Sequence, residues 1–122
     1  MFVNLSNHPS RDWPPEQLTA ALQLASPIFD ILFPSVDPQL DGEAFTNLAH
    51  STAGQVFAAG AQAAMVQGEF TMVYALVGLL RQRIPCYAAT TERVVLSQTL
   101  PGSVIRKTSD YRFVRFREFR TA

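Results

Sequence analysis

The sequence has little of what several functional classes require. It holds one cysteine, Cys86, so it offers neither an internal disulfide nor a cysteine-rich metal site. No window reaches the roughly eighteen uninterrupted apolar residues that span a bilayer, and the N-terminus lacks the basic start and long apolar run of a secretory signal. These absences predict a cytoplasmic protein with no membrane contact, in which Cys86 is a small core residue.

Common cofactor motifs are also missing. No GxGxxG follows the first predicted strand and no GxxxxGK[ST] occurs anywhere, which disfavours an ordinary dinucleotide or nucleoside triphosphate site. His8 and His50 show no metal-ligand pattern with Cys86. The sequence therefore predicts neither a metal nor a bound cofactor.

Charge is balanced overall and unevenly placed. Ten basic and ten acidic residues cancel, yet residues 12–69 contain seven acids and no Lys or Arg. The tail from Glu92 onward has three acids and seven basic residues: Arg93, Arg106, Lys107, Arg112, Arg115, Arg117 and Arg120. Zero net charge disfavours duplex DNA. The basic tail is either a solvated edge that meets the acidic half, in the fold or in an oligomer, or a surface for a compact anionic ligand.

Strands and helices alternate along one predicted domain, residues 1–122. An apolar content of 48% is enough for a single core. The patterns predict strands at 2–5, 28–33, 63–67 and 86–90. They predict helices from Pro14 and Pro15 to about 25, from 42 to 62, and from 70 to 83.

The end of the chain is predicted to differ from the alternating part. Residues 91–98 are expected to leave the sheet, 101–103 ("PGS") to turn, and 111–119 ("YRFVRFREF") to form a strand with one wet face. The fold class predicted is α/β: a Rossmann-like, mostly parallel sheet with helices on both faces and a C-terminal β-hairpin or added edge strand. The expected order of the first four strands is two, one, three, four.

Three polar runs follow predicted strands: "SNHPS", "GEFT" and "ATTER". In an open parallel sheet, ligands bind beyond the carboxyl ends of the strands, at the point where the strand order reverses. The sequence therefore predicts that the three runs line one rim.

Each candidate in the first run has a structural alternative. Ser6 and Asn7 either contact a ligand or satisfy turn amides. His8 either accepts a proton or holds a phosphate, or makes local hydrogen bonds. Trp13 either stacks on an adenine or closes a hydrophobic clasp at the helix entry.

The other two runs carry the same ambiguity. Gly68 allows either close approach to a ligand or a tight turn, and Glu69 either contacts a ligand or caps the third helix. Residues 90–92 offer hydroxyls and a carboxylate to a ribose or a base, while Arg93 either faces a phosphate or pairs with its neighbour.

As a set, "NLSNHPSRDW", "VQGEFTMVYALV", "CYAATTERVV" and "YRFVRFREF" resemble the small single-domain CRISPR-associated Rossmann-fold (CARF) proteins found beside type III CRISPR systems. The resemblance covers most of the chain. It implies a homodimer whose two crevices merge across a two-fold axis to hold a cyclic oligoadenylate, with the four-membered ring expected. Such proteins either cleave the ring without a metal, as ring nucleases, or sequester it, and ligand-driven assembly beyond the dimer accompanies the second alternative.

The resemblance also implies which residues contact the ligand. They are Ser6, Asn7 and His8 in the first run, Gly68, Glu69 and Thr71 in the second, and Thr90, Thr91, Glu92 and Arg93 in the third. If the ring is cleaved, His8 is expected to accept a proton or hold the phosphate, with Ser6 and Arg93 stabilising the oxyanion. No rim run contains a lysine, which makes binding a safer expectation than catalysis.

Overall fold

The computed structural model describes residues 1–122. Its elements are β1 (Phe2–Ser6), a 3-10 turn (Ser10–Asp12), α1 (Pro15–Leu24), β2 (Ile28–Leu32), α2 (Gly42–Ala58), β3 (Ala63–Val66), α3 (Phe70–Leu80), β4 (Cys86–Leu100) and β5 (Val104–Glu118). None of the helices is both long and apolar enough to cross a lipid bilayer.

The five strands form one sheet in the order β2-β1-β3-β4-β5. The first four are parallel, and β5 pairs with β4 in the antiparallel direction. The prediction of an α/β, mostly parallel sheet is confirmed, as is the expected order of the first four strands. The strand order reverses between β1 and β3, so the carboxyl ends of these two strands mark the switch point.

Side chains alternate across β1 and β3, and both strands are buried along their whole length. Val3, Leu5 and Val66 pack with α2 and α3 in the larger core cluster. Phe2 and Met65 point to the opposite face, where they pack beneath α1. Helices therefore cover both faces of the sheet, as predicted, which explains why both strands are buried throughout and apolar except at Asn4 and Ser6.

Two helices are shorter than predicted, for local reasons. Asp41 caps α2 by accepting a hydrogen bond from the Gly42 amide, and α2 ends at Ala58 because Gly60 adopts a left-handed φ of 83°. Helix α3 ends at Leu80, three residues early, and Pro85 precedes the next strand. The N-termini of both helices lie where the sequence indicates.

The largest departure is β4, which was predicted to end at residue 90 and continues to Leu100. Every residue from Tyr87 to Leu100 pairs with β5, apart from a register shift at Thr90 and Thr91. Beyond this bulge, residues 92–112 form a two-stranded hairpin, here called the arm. No arm side chain belongs to either core cluster, so the arm projects past the carboxyl end of β3.

Candidate ligand crevice at the carboxyl edge of the sheet

The first polar run is held by a partly buried hydrogen-bond network that begins on β1. The Asn4 Nδ2 group donates to the His8 carbonyl at 2.8 Å and to Asp30 Oδ1 at 3.0 Å. The Ser6 hydroxyl donates to Asn4 Oδ1 at 2.7 Å and accepts from the His8 amide at 3.1 Å. Asp30 also accepts from the Ser10 amide at 3.0 Å. This network fixes the loop that leaves β1.

The network assigns Ser6 a structural position. Its side chain is buried, and its hydroxyl has both a donor and an acceptor partner inside the loop. A hydroxyl engaged in this way is not free to stabilise an oxyanion. Asn7 and His8, by contrast, are exposed beyond the end of β1.

Glu69 caps α3. Its Oε2 atom accepts from the Thr71 hydroxyl at 2.6 Å and from the Met72 amide at 2.9 Å, and its Oε1 atom accepts from the Thr71 amide at 3.1 Å. The Thr71 hydroxyl and then the amides of Met72 and Thr71 lower the pKa of Glu69 below its ordinary value. A carboxylate therefore occupies the helix end at which a phosphate would otherwise be favoured. Of the two interpretations of Glu69, the structure supports the cap.

Gly68 is required by packing. A Cβ atom at this position would lie 2.5 Å from ring carbons of Phe33, whose side chain is buried at the end of β2. The close approach is therefore between the backbone and an aromatic ring of the same chain, which accounts for the glycine without a ligand.

Trp13 does not offer a face for adenine. It is 7% exposed and packs with Phe2 at a centroid distance of 6.4 Å and with Phe116 at 6.1 Å. This is the clasp alternative: the ring closes the smaller core at the entry to α1. The expectation that Trp13 stacks on a base is contradicted by its burial.

Residues 90–93 all lie within β4, which confirms the strand at Thr90 and corrects the prediction that residues 91–93 leave the sheet. The backbone of these residues pairs with β5, which supplies the hydrogen-bond partners that a loop would lack. Their β-branched and long side chains are compatible with a strand. The Thr90 hydroxyl donates to the Arg115 carbonyl at 2.9 Å, and the Arg93 guanidinium donates to the Ser109 hydroxyl at 2.9 and 3.1 Å. Thr91 and Glu92 are exposed at the base of the arm.

The candidate residues therefore lie along one edge of the sheet and do not form a single enclosed site. None of the hydrogen bonds joins His8, Glu69 and Arg93, the residues that stand for the three runs. The edge is open, and its exposed polar groups are Asn7 and His8 beside β1 and the Thr91–Arg93 segment where the arm begins. The chain holds no group of three or more His, Cys, Asp or Glu residues placed to bind a metal ion.

Three residues of this edge were missed from the sequence. Phe70 opens α3 with 81% of its side chain exposed, yet the helix is apolar on nearly every side, so periodicity gave no sign of which rings face solvent. Asp30 sits in an apolar strand and organises the first loop. Gln67 accepts from the Ala89 amide through its side chain at 2.9 Å, where β3 stops and β4 continues.

A groove of about 680 Å³ runs from this edge along α3. Its α3 wall includes Phe70, Tyr74 and Gly78, which recur every four residues, and its other wall includes Phe119 and Arg120. Tyr74 is as exposed as Phe70. The groove therefore begins at the Phe70 ring on the rim and passes the Tyr74 ring one turn further along α3. Phe119 and Arg120 lie at its far end, beside Cys86 at the start of β4.

A comparison with protein families identifies the wider group to which this architecture belongs. The model of the uncharacterized protein MJ1673 family matches residues 1–117. The chain belongs to that family.

The MJ1673 family match runs from β1 almost to the end of β5, so the crevice loops and the arm both lie inside it. No curated protein and no solved structure matches the chain. For this member of the MJ1673 family, function is therefore argued from the crevice itself.

Proposed function

We propose that the protein is a CARF-like homodimer that binds a cyclic oligoadenylate, with cyclic tetra-adenylate as the expected ring, and lowers its free level in type III CRISPR signalling. The sheet topology supports this proposal, because the exposed loop after β1 and the start of α3 flank the switch point between β1 and β3. In such a homodimer each ring contacts residues of both chains, so one chain needs to supply only part of the site.

The observation that carries the proposal is that an exposed aromatic ring, Phe70 after β3, and an exposed polar loop, Asn7 and His8 after β1, follow neighbouring strands at the same edge of the sheet. Stacking of a base on an aromatic side chain contributes about 1–3 kcal/mol. The His8 imidazole and the Asn7 amide offer hydrogen bonds to phosphate or ribose oxygens. Arg93, at the base of the arm, adds a cation on the same edge.

Sequestration is favoured over cleavage by the state of the catalytic candidates. Ser6 is committed to the loop network, and Arg93 bonds to Ser109 within the arm. This leaves His8 as the one candidate on the rim with a free, exposed side chain. A single imidazole gives slower chemistry than a group with a preorganised oxyanion site.

Ring cleavage is the second candidate function, and exposed His8 supports it. A ribose 2′-hydroxyl would attack the adjacent phosphorus while its proton passes to His8. The bond from phosphorus to the 5′ oxygen would break, the leaving oxygen would take up a proton, and a 2′,3′-cyclic phosphate would remain. This step consumes no metal and no water.

Incubation with radiolabelled cyclic tetra-adenylate in a chelator tests both functions, with filter retention reporting binding and chromatography reporting ring opening. We expect retention of an unopened ring over hours. Phe70→Ala should weaken retention by about five-fold to a hundred-fold, the equivalent of one lost stacking contact. Tyr74→Ala, one helical turn further from the rim and equally exposed, is the matched control.

Two outcomes would change this conclusion. Ring opening that disappears in His8→Ala while binding persists would establish the nuclease. Failure of the wild-type protein to retain any cyclic oligoadenylate would remove the proposal.

A further inference from the structure

We infer that two copies of this chain join through the free edges of their β4 strands, in antiparallel register, and that the tip of each arm completes the crevice of the other copy. The structure of the arm is the evidence for the pairing of the two chains. The role of the arm tip in the partner's crevice depends on the function proposed above.

The arm has an unpaired edge. On the side away from β5, β4 pairs with β3 only at Cys86 and Tyr87, and the Ala89 amide then turns to the Gln67 side chain. From residue 92 to 100 this edge of the backbone has no partner in the chain. Nine residues of strand extend for about 30 Å. A two-stranded hairpin of this kind is marginal in water on its own.

The two edges of the arm differ in charge. Residues 94–100, "VVLSQTL", contain no charged residue, no proline and no glycine, which is the composition of segments that pair with other strands. The β5 edge carries Arg106, Lys107, Asp110 and Arg112, and charges of this kind block pairing at a sheet edge. The edge of β4 is therefore the one open to a further strand.

A second copy of the chain fits this edge because the segment is complementary to itself. With Leu96 opposite Leu96 of the partner subunit, a two-fold axis normal to the sheet pairs Arg93 with Thr99 and Glu92 with Leu100. No like charges face each other, and apolar side chains meet at the centre, where Leu96 is 49% exposed in the single chain. The arm also carries basic residues toward a chain whose residues 12–69 hold seven acids and no Lys or Arg.

This pairing brings cations to a crevice that has few. The partner's β4 would continue the line of β3, and the partner's β5 would continue the line of β1. The partner's Arg106 and Lys107 would then lie about 10–15 Å beyond the loop at residues 7–8, three or four residues along the strand direction. Because side chains alternate along each strand, the partner's Arg106 would point to the face of the sheet that α3 covers, and the partner's Lys107 to the face that α1 covers.

Mass in solution tests the pairing without any nucleotide. We expect analytical ultracentrifugation to give twice the 13.5 kDa chain mass, and Leu96→Glu to give the single-chain mass because it sets two carboxylates opposite each other. Val114→Glu, on β5 and 53% exposed, is the matched control and should stay dimeric. Circular dichroism melts of both variants show that each is folded.

Cross-linking tests the register. In the proposed pair the two Leu96 Cα atoms lie within the span of a disulfide, so Leu96→Cys should give a covalent dimer under mild oxidation. Val114→Cys should not, and native Cys86 is buried and does not interfere. A wild-type monomer across a dilution series, a dimeric Leu96→Glu variant, or cross-linking through β5 alone would each overturn the inference.

The contribution to the crevice has its own readout. Arg106→Gln should keep the dimeric mass and lower retention of cyclic tetra-adenylate about ten-fold or more, the cost of losing a hydrogen bond to a charged group. If the protein is a dimer that binds no cyclic oligoadenylate, the inferred pairing stands and the proposed function is wrong. A monomer that binds the ring through Phe70 would overturn the pairing and the proposed homodimer, and would leave the proposed binding of the ring.

Discussion

Gly68 and Phe33 meet at the carboxyl edge of the sheet in a contact that leaves no room for a side chain. Adding a single methyl group at Gly68 therefore tests the packing here, because neither the buried Phe33 ring nor the strand end can shift at low cost. The same edge contains Ser6 and Glu69, whose side chains are already used by the fold.

Gly68→Ala should destabilise the protein by about 1–3 kcal/mol, since the added Cβ would overlap the Phe33 ring. Gly54→Ala is the matched control: Gly54 lies inside α2 with nothing within 4 Å of an added Cβ, and alanine there should stabilise the helix by about 0.5–1 kcal/mol. Urea unfolding of both variants measures the difference. Equal midpoints would contradict the packing role of Gly68.

Ser6→Ala should cost about 1–3 kcal/mol of stability because it leaves buried Asn4 and the His8 amide without their partner. Asn7→Ala, in the same loop and exposed, should leave the unfolding midpoint unchanged. A Ser6→Ala protein of normal stability that had lost only ring opening would instead indicate a catalytic hydroxyl.

Glu69→Gln should lower the melting temperature at pH 7, since the ionised carboxylate caps α3. The pKa of Glu69 is lowered on folding, so its contribution is complete above the ordinary value of 4.5 and is lost as the pH falls through the lower folded value. The difference in melting temperature between the wild-type protein and Glu69→Gln should therefore disappear in acid. Glu43→Gln, in the first turn of α2, should show a smaller gap at pH 7 because Asp41 already caps that helix.

Among the elements, the parallel core and a C-terminal hairpin with its turn at residues 101–103 could be predicted, whereas the length of β4 in the arm could not. The mostly apolar residues 2–5, interrupted only by Asn4, and the apolar residues 63–66 are typical of strands covered on both faces. Residues 91–110 alternate weakly, and their strand conformation depends on partners that lie between four and twenty-two residues away in sequence. The local sequence pattern does not contain that pairing, so β4 was predicted too short and residues 91–98 were placed outside the sheet.

Helix α3 shows a different limit. Its sequence is apolar on almost every side, so the pattern identified the helix without identifying which face is buried. Met72, Leu76 and Leu80 face the core, while Phe70 and Tyr74 face solvent. The exposed aromatic ring at the rim was therefore visible only once α3 had a position on the sheet.

Removing the arm should leave the rest of the fold intact. Glu92 and Arg112 are directly paired, so an Asn-Gly turn in place of residues 93–111 should close a short hairpin. No arm side chain belongs to either core cluster, so we expect the melting temperature to change by only a few degrees. Circular dichroism and thermal melting check this, and an unfolded product would show that the arm supports the core.

For the whole molecule, alkaline pH is the condition that opposes folding. Burial raises the pKa of the Cys86 thiol to about 11, and burial followed by the nearby Glu118 carboxylate raises the pKa of Tyr87. Both groups ionise more readily in the unfolded chain. The stability that they contribute is therefore present below their ordinary values of 9.0 and 10.0 and is lost as the pH rises beyond them.

Cys86 should report this global stability directly. At pH 9, iodoacetamide should label the folded protein far more slowly than the urea-unfolded chain, because only the thiolate reacts and the folded thiol is buried. Mass spectrometry of timed samples measures both rates. Similar rates would show that β4 opens locally at its first residue.

The hydrogen bonds that tie Asn4, Ser6 and Asp30 to the first loop bear on the thermodynamics of recognition. A loop that is already ordered in the free protein gives up little conformational freedom when a guest arrives, so more of the contact energy appears as affinity. Calorimetry of ligand binding should show a small entropic penalty from the protein. The rest of the entropic penalty is then set by the flexibility of the ligand.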